Sequence, residues 1–381
     1  MRVFVLLEHG KGDPAWGERF ARGQVYEETP YGYGLAAGSG AVVTFSHDHT
    51  EGRVGSFLRR GVSKVLGFDL VHAVRQLPLL RTMDVVWTHT EREHLALGLL
   101  RGFGVQLPPV IAQSVWVADR WDTWSPPRRA LYRWCLRHVD ALTTLSPENA
   151  AVLRHITNRP VEVVAFGVRA DPWSGSGDEV ASTATPIDPG AGAPLRILCL
   201  GNDVHRDWEV LRGLARVAGP GAEVTLVTRR LDATFATGVP NLHVRPADRV
   251  SQTADAYAAA DVVCLPLKPN LHASGITVLL EAATWSLPCI VTDTGGLRSY
   301  FDEDAVRYLA PDASPELWWA AVRDLLAGAG AGAGAGTVAR MRGQVTRAEL
   351  TDTGYAARHV TMSTTLITQR ANSQYATARS A

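Results

Sequence analysis

One acid stands alone in an apolar stretch. In KPNLHASGITVLLEAATWSLPCIVTDTGG, residues 268–296, Glu281 sits in the middle of a short apolar helix pattern. A carboxylate packed against a sheet is costly unless something pairs with it. The positions just upstream carry Lys268, Asn270, His272 and Ser274, and the helix is expected to begin near Gly275. Gly275 has no side chain, so the backbone amides of Gly275, Ile276 and Thr277 can face an anion, helped by the helix dipole. Lys268 adds a positive charge. Thr277 and Glu281 lie four residues apart and share a helix face, where a carboxylate can accept hydrogen bonds from two vicinal hydroxyls. An anion site beside a diol site suits a diphosphate joined to a ribose. The bland reading is a structural acid paired with an arginine or capping a neighbouring loop. Spacing alone leaves both open.

Other chemistry-bearing residues gather at strand ends. His89 directly follows the strand pattern DVVWTH (84–89), and Glu91 lies two residues on, at the start of a helix pattern. FSHDHTEG (45–52) places His47, Asp48, His49 and Glu51 after another strand. These offer a general base at Asp48, metal ligands, or a plain solvated loop. Adjacent loop residues usually point apart, so no metal is expected. The first loop, HGKGDPAWGERFARG, has neither a dinucleotide fingerprint nor a P-loop. Trp16, Tyr26, Tyr31 and Tyr33 near it can stack on a ligand or serve as packing anchors.

The elements that must position these residues alternate. Strand patterns occur at 2–7, 41–46, 84–89 and 108–117, and again in ALTTLS and VEVVAFGV. Between them lie helix patterns in EREHLALGLL, PPRRALYRWCLRHVD and SPENAAVLRHI, the last with Ser146 as cap. This rhythm describes a doubly wound parallel sheet. It breaks at 170–194, a Ser/Gly/Pro/Ala-rich stretch read as an interdomain linker. It resumes through LRILCLG, DWEVLRGLARV, EVTLVT, NLHVRP and TADAYAAADVVCLPL. The expected plan is an α/β N-terminal domain over 1–169, a second over 195–326, an Ala/Gly loop at 327–336 and a C-terminal helical segment and tail at 337–381. Two such domains facing across a cleft would place ligands beyond the carboxyl ends of the strands.

The totals agree. With 381 residues, 46% hydrophobic and 20% charged, the chain is long enough for two cores. Its formal net charge of zero gives no reason to expect a nucleic-acid partner. Cys135, Cys199, Cys264 and Cys289 lack metal-ligand spacing and read as buried thiols in a reducing compartment. MRVFVLLEHG turns polar too soon for a signal peptide, and no run approaches a membrane span. A cytoplasmic location is expected, with peripheral contact at the inner membrane face left open.

SGITVLLEAATWSLPCIVTDTGG resembles the signature of the GT-B fold glycosyltransferases, particularly glycosyltransferase family 4, the glycosyl transferases group 1 type. That family reads Glu-Gly-Phe-Gly, a helix ending Leu-Glu-Ala-Met-Ala, then Gly-x-Pro-Val-Val and a Gly-Gly loop. AFGV (165–168) and AAADVVCLPL resemble two more of its elements. The resemblance implies two Rossmann-like domains, the N-terminal one for the acceptor and the C-terminal one for the donor. It implies hexosyl transfer from a nucleoside diphosphate sugar, a UDP- or GDP-sugar first among them, to a small-molecule, glycan or lipid-linked acceptor, with no metal. Glu281 falls on the glutamate that binds the donor ribose, and His89 on a histidine that contacts the donor sugar or its phosphate. Two positions depart. The family's first glutamate falls on Ala273, and its Gly-Arg pair falls on Gly201-Asn202. Arg206 in GNDVHRDW then takes the place of the following lysine as the cation for the leaving diphosphate, with Arg229 or Arg230 assisting. The departures keep a second class open, a binding protein without turnover.

Overall fold

In the computed structural model, residues 1–169, 193–327 and 333–380 are described, and they fall into two units. Unit 1 comprises Met1–Ala21, Glu27–Ala165 and Asp352–Ala381; unit 2 comprises Arg22–Tyr26 and Phe166–Thr351.

Unit 1 is built on strands β1 (Arg2–Leu6), β2 (Val42–Phe45), β3 (Val85–Thr88), β4 (Val110–Gln113), β5 (Ala141–Thr144) and β6 (Val161–Val163). They pair in parallel in the order β2-β1-β3-β4-β5-β6. β3 and β4 are buried at every position, which is why they read as continuous apolar runs rather than alternating ones. The helices are α1 (Ala15–Ala21), α2 (Arg53–Leu66), α3 (Leu70–Leu80), α4 (Glu91–Gly102), α5 (Val117–Arg120), α6 (Pro126–Arg137) and α7 (Pro147–Thr157). α4 opens on a capping box in which Thr90 and Glu93 satisfy each other's end of the first turn. α4 and α6 approach closely because Gly98 and Gly102 lie against the Cys135 backbone and the Trp134 ring, leaving no room for side chains there.

Unit 2 holds β7 (Leu195–Leu200), β8 (Ala222–Val227), β9 (Leu242–Arg245), β10 (Val262–Leu265), β11 (Cys289–Thr292) and β12 (Arg307–Leu309), with helices α8 (Trp208–Ala218), α9 (Val250–Ala258), α10 (Ile276–Thr284), α11 (Pro315–Ala327) and α12 (Ala333–Arg347). Its sheet is also parallel, in the order β12-β11-β10-β7-β8-β9. Each sheet therefore reverses its strand order once, between β1 and β3 in unit 1 and between β7 and β10 in unit 2. Loops leaving the carboxyl ends at such a point diverge and leave room for a ligand.

Several boundaries differ from the sequence reading. The strand expected over 108–117 ends at Gln113, and Val117 already begins α5. Residues 53–80, which carried no assigned element, form α2 and α3. The C-terminal segment expected from 337 as one or two helices is divided between the units. α12 belongs to unit 2, and α13 (Asp352–Ser380) returns to unit 1. There Tyr355, Ala356, His359 and Ser363 are buried, and Trp87 Nε1 donates to Ser363 Oγ at 2.8 Å. The Ser/Thr-rich end is thus ordered by unit 1 rather than by its own composition. The expected linker lies almost wholly outside the described residues. Of the Ala/Gly run, 328–332 lies outside them, whereas 333–336 opens α12 instead of staying a loop. The four cysteines are free and buried, with Cys135 and Cys199 pushed up to about 12 by burial.

Candidate functional site

In unit 2 the loops after β7 and β10 are stitched together by backbone. Arg206 and Leu267 form an antiparallel bridge, Asp207 N donates to Pro266 O at 2.9 Å, and Lys268 N donates to His205 O at 2.8 Å. This brings Arg206, Lys268, Ser274 and Gly275 together, across nearly seventy residues of sequence. Arg206 is only 4% exposed. Its Nε donates to Leu200 O and its Nη1 to Ser274 Oγ, both at 2.9 Å. Both partners are neutral, and burial presses the guanidinium pKa below its usual value. The two glycines flanking it pack closely on it: a side chain at Gly201 would come within 2.8 Å of Nη2, and one at Gly275 within 3.5 Å of Nη1. A buried cation whose direct hydrogen-bond partners are neutral, with the Asp203 carboxylate nearby, can take up a further anion.

Asp203 braces this arrangement. Oδ1 accepts from His205 N and Nδ1, each at 3.0 Å, and Oδ2 accepts from His272 Nε2 at 2.7 Å and Ser274 Oγ at 2.9 Å. Burial would raise its pKa, but the hydrogen bonds from His272 and His205 outweigh that and hold the carboxyl well below the usual range. Among the described residues, Asp203, His205 and His272 are also close enough to share a metal ion, their ligand atoms lying within 4.8 Å of one another. Sequence reasoning missed this trio as a group. Asp203 and His272 stand 69 residues apart, and no spacing signal links them.

α10 starts where expected, with Gly275 at φ 91°, a left-handed conformation suited to glycine, and with no side-chain cap. Among the described residues the N–H groups of Gly275 and Thr277 meet no acceptor. Ile276 is a correction. Its N–H donates to Ala273 O at 3.1 Å and its side chain is buried, so it offers nothing outward. Ile276, Val278, Leu279, Leu280, Ala282 and Ala283 bury the helix, leaving Thr277 exposed and Glu281 half-buried on the open stripe. Glu281 has a structural partner: the Tyr257 hydroxyl donates to Oε2 at 2.6 Å. Ala273, where the family carries a glutamate, is buried at φ 56°.

One further expectation needs correcting. Arg229 does not join this group. Its guanidinium is exposed and tied to Asp248 at 2.9 Å and to the Ala247 carbonyl, and its backbone N–H donates to Asn202 Oδ1 at 2.7 Å. The turn after β11 is closed by a side chain. Gly295 lies against the Asn270 side chain, whose Oδ1 accepts from Ser274 N at 3.0 Å.

In unit 1, His89 follows β3 as expected. Its ring stacks on Tyr31 with centroids 3.5 Å apart, and Nδ1 meets the Tyr33 hydroxyl at 3.2 Å. Burial, with nearby Lys11 adding to it, pushes the imidazole down to about 3, so it is neutral at pH 7. Asp48 lies after β2. Its Oδ1 accepts from Gly10 N at 2.8 Å, and its Oδ2 is buried without a hydrogen-bond partner. Gly12 makes this possible by lying against the Ser46 carbonyl, where no side chain fits. Among the described residues no hydrogen bond or ion pair joins Asp48 to His89. Glu91 caps a neighbouring loop: Oε2 accepts from Val115 N and Trp116 N, each at 3.3 Å. A cavity of about 810 Å³ in unit 1 opens elsewhere, near Asp84, Pro108 and Arg370, and carries none of the candidate residues.

Residues 206–328 match the family model described as Glycosyl transferases group 1. Over those residues the chain is related to that family, and its two parallel-sheet units have the GT-B fold. The matched segment starts at Arg206 and contains Lys268, Ser274, Gly275 and Glu281. Solved structures extend the likeness in fold over nearly all of the chain. A sucrose-phosphate synthase from Thermosynechococcus elongatus shares 16% identity at a TM-score of 0.70, covering 97% of this chain and 100% of that one. Anabaena HepE, solved in complex with UDP-glucose, shares 11% identity at a TM-score of 0.64, covering 97% and 99%. The lipopolysaccharide outer core galactosyltransferase WaaB shares 13% identity at a TM-score of 0.60, covering 94% and 97%. At such identities the structural likeness establishes the fold. No curated protein matches the sequence.

Proposed function

We propose that the protein is a glycosyltransferase that moves a hexosyl group from a UDP- or GDP-sugar to an acceptor hydroxyl, with unit 2 binding the donor and unit 1 the acceptor. The observation that carries this is Arg206, a buried guanidinium with neutral partners beside the uncapped start of α10. A departing diphosphate would supply the charge that Arg206 lacks, and Lys268 and the Gly275 and Thr277 amides would share it. Glu281, on the open stripe of α10, would accept the ribose hydroxyls while Tyr257 fixes its orientation. His89 is neutral and would act as a hydrogen-bonding group toward the sugar rather than as a cation. Asp48, with one buried carboxylate oxygen unmatched, is the candidate general base. Polysaccharide, glycolipid or natural-product synthesis in the cytoplasm fits such a transfer.

The test is calorimetric titration with UDP, GDP, ADP and TDP without added metal. Micromolar binding of one of them, lost in Glu281→Ala, is the expected result. No binding by any of the four would sink the active-enzyme reading. The second reading, a domain that binds without turnover, would then stand; Ala273 and Asn202, in place of two residues the family carries, are the observations that favour it.

A further inference from the structure

α2 carries its apolar stripe outward. Its sequence is RVGSFLRRGVSKVL, and Val54, Phe57, Leu58 and Val65 are 73%, 71%, 60% and 72% exposed. Those positions fall on one face of a helix. The opposite face is polar and holds the helix down: Arg59 binds Glu51 at 3.0 Å and Asp69 at 2.7 Å, and buried Ser63 meets Arg92 at 3.4 Å. A helix packed by its ion pairs and open on its hydrophobic side is the reverse of a core helix, and apolar patches of this kind mark interaction sites. Exposed Arg53, Arg60 and Lys64 line one flank of the stripe, without an ion-pair partner among the described residues. Arg128 adds a cation at the carboxyl end, where its guanidinium donates to Val65 O at 2.8 Å. The helix contains no acid.

We propose that α2 lies in the plane of an anionic lipid surface, Phe57 and Leu58 entering the headgroup–acyl boundary while Arg53, Arg60 and Lys64 meet lipid phosphates. An apolar stripe flanked by cations is the pattern of an interfacial helix. A second copy of the chain fits less well, since a two-fold contact through this stripe would set the same cations against each other. No helix among the described residues is long and apolar enough to cross a membrane, so the contact is peripheral. This inference does not depend on the donor-site reading and can fail or hold separately from it.

The test is flotation of the full chain with two kinds of vesicle, phosphatidylcholine alone and equal parts of phosphatidylcholine and phosphatidylglycerol. Binding to the mixed vesicles only, weakening with salt, is expected. Phe57→Ser with Leu58→Ser should weaken it by at least roughly tenfold. Arg53→Glu, Arg60→Glu and Lys64→Glu together should weaken it by about a hundredfold. Phe103→Ser, which alters an exposed aromatic outside α2, should leave it unchanged. Every substituted side chain is exposed, and unchanged thermal melts will establish that the variants fold. Absence of binding to the mixed vesicles overturns the proposal. So does unchanged binding by the α2 variants, or a lipid-free dimer that Phe57→Ser with Leu58→Ser dissolves.

Discussion

Arg206 retains a charge at a position where charge is expensive. Its hydrogen bonds go to a carbonyl and a hydroxyl, and burial lowers its pKa. An apolar side chain of similar size removes the desolvation cost of the buried charge, which offsets the donors lost to Leu200 O and Ser274 Oγ. Arg206→Met should therefore leave the denaturation midpoint close to wild type while weakening nucleoside diphosphate affinity by about a hundredfold, 2–3 kcal/mol of charge-assisted hydrogen bonding. A large loss of stability with affinity intact would make Arg206 a structural cation instead. Glu281 poses the complementary question. Glu281→Ala strands the buried Tyr257 hydroxyl and should cost about 1–3 kcal/mol of stability. Calorimetry on Tyr257→Phe separates the two roles: it removes the same hydrogen bond but keeps the carboxylate, and should retain donor binding.

At the scale of elements, the loops are placed by close backbone approaches that only glycine allows. The β1–α1 loop lies on the loop after β2 through Gly12, with Asp13 N donating to Ser46 O at 3.0 Å. A side chain at Gly12 would overlap the Ser46 carbonyl oxygen, and backbone cannot swing aside as a side chain can. Gly12→Ala should destabilise unit 1 by about 2 kcal/mol or more, read as a lower denaturant midpoint. α10 was legible in the sequence because its apolar run and Gly275 are local signals. α2 was not. Val54, Phe57, Leu58 and Val65 recur at helical spacing, but that spacing by itself does not show that the stripe faces solvent instead of the sheet. Nor could Asp203 be linked to His272, since their contact exists only once β7 and β10 are neighbours.

For the molecule as a whole, unit 1 buries several neutral histidines. Burial pushes His94 down to about 3, and His72 and His359 to about 4. In the unfolded chain they titrate near 6.5, so on acidification the unfolded state takes up protons first. Their contribution is complete above 6.5 and is lost as pH falls toward the folded values, about 2 kcal/mol each by pH 5. Glu93 runs the other way. Burial raises it to about 7 against the hydrogen bonds from Thr90, so its contribution is present at low pH and fades as pH rises through 7. The expected profile is maximal stability near neutrality with a steep acid limb. Calorimetric scans on lowering the pH should show a transition from unit 1 moving down ahead of unit 2. A flat response between pH 7 and 5 would contradict the burial of these imidazoles.

The alternation of apolar strands with helices, and the signature around Glu281, were enough by themselves to specify two doubly wound sheets and a donor-type helix start, because both are local patterns read within some thirty residues. They also pointed to Lys268, Ser274 and Gly275, which share one loop. Only the tertiary structure decided the rest. It buried Arg206 under Gly201 and Gly275, tied Arg229 to Asp248, closed the Ile276 amide onto Ala273, and sent α13 back to unit 1. The physical reason is the same in each case: these outcomes depend on which groups long-range strand order makes neighbours, and on which polar atoms are already satisfied once it has.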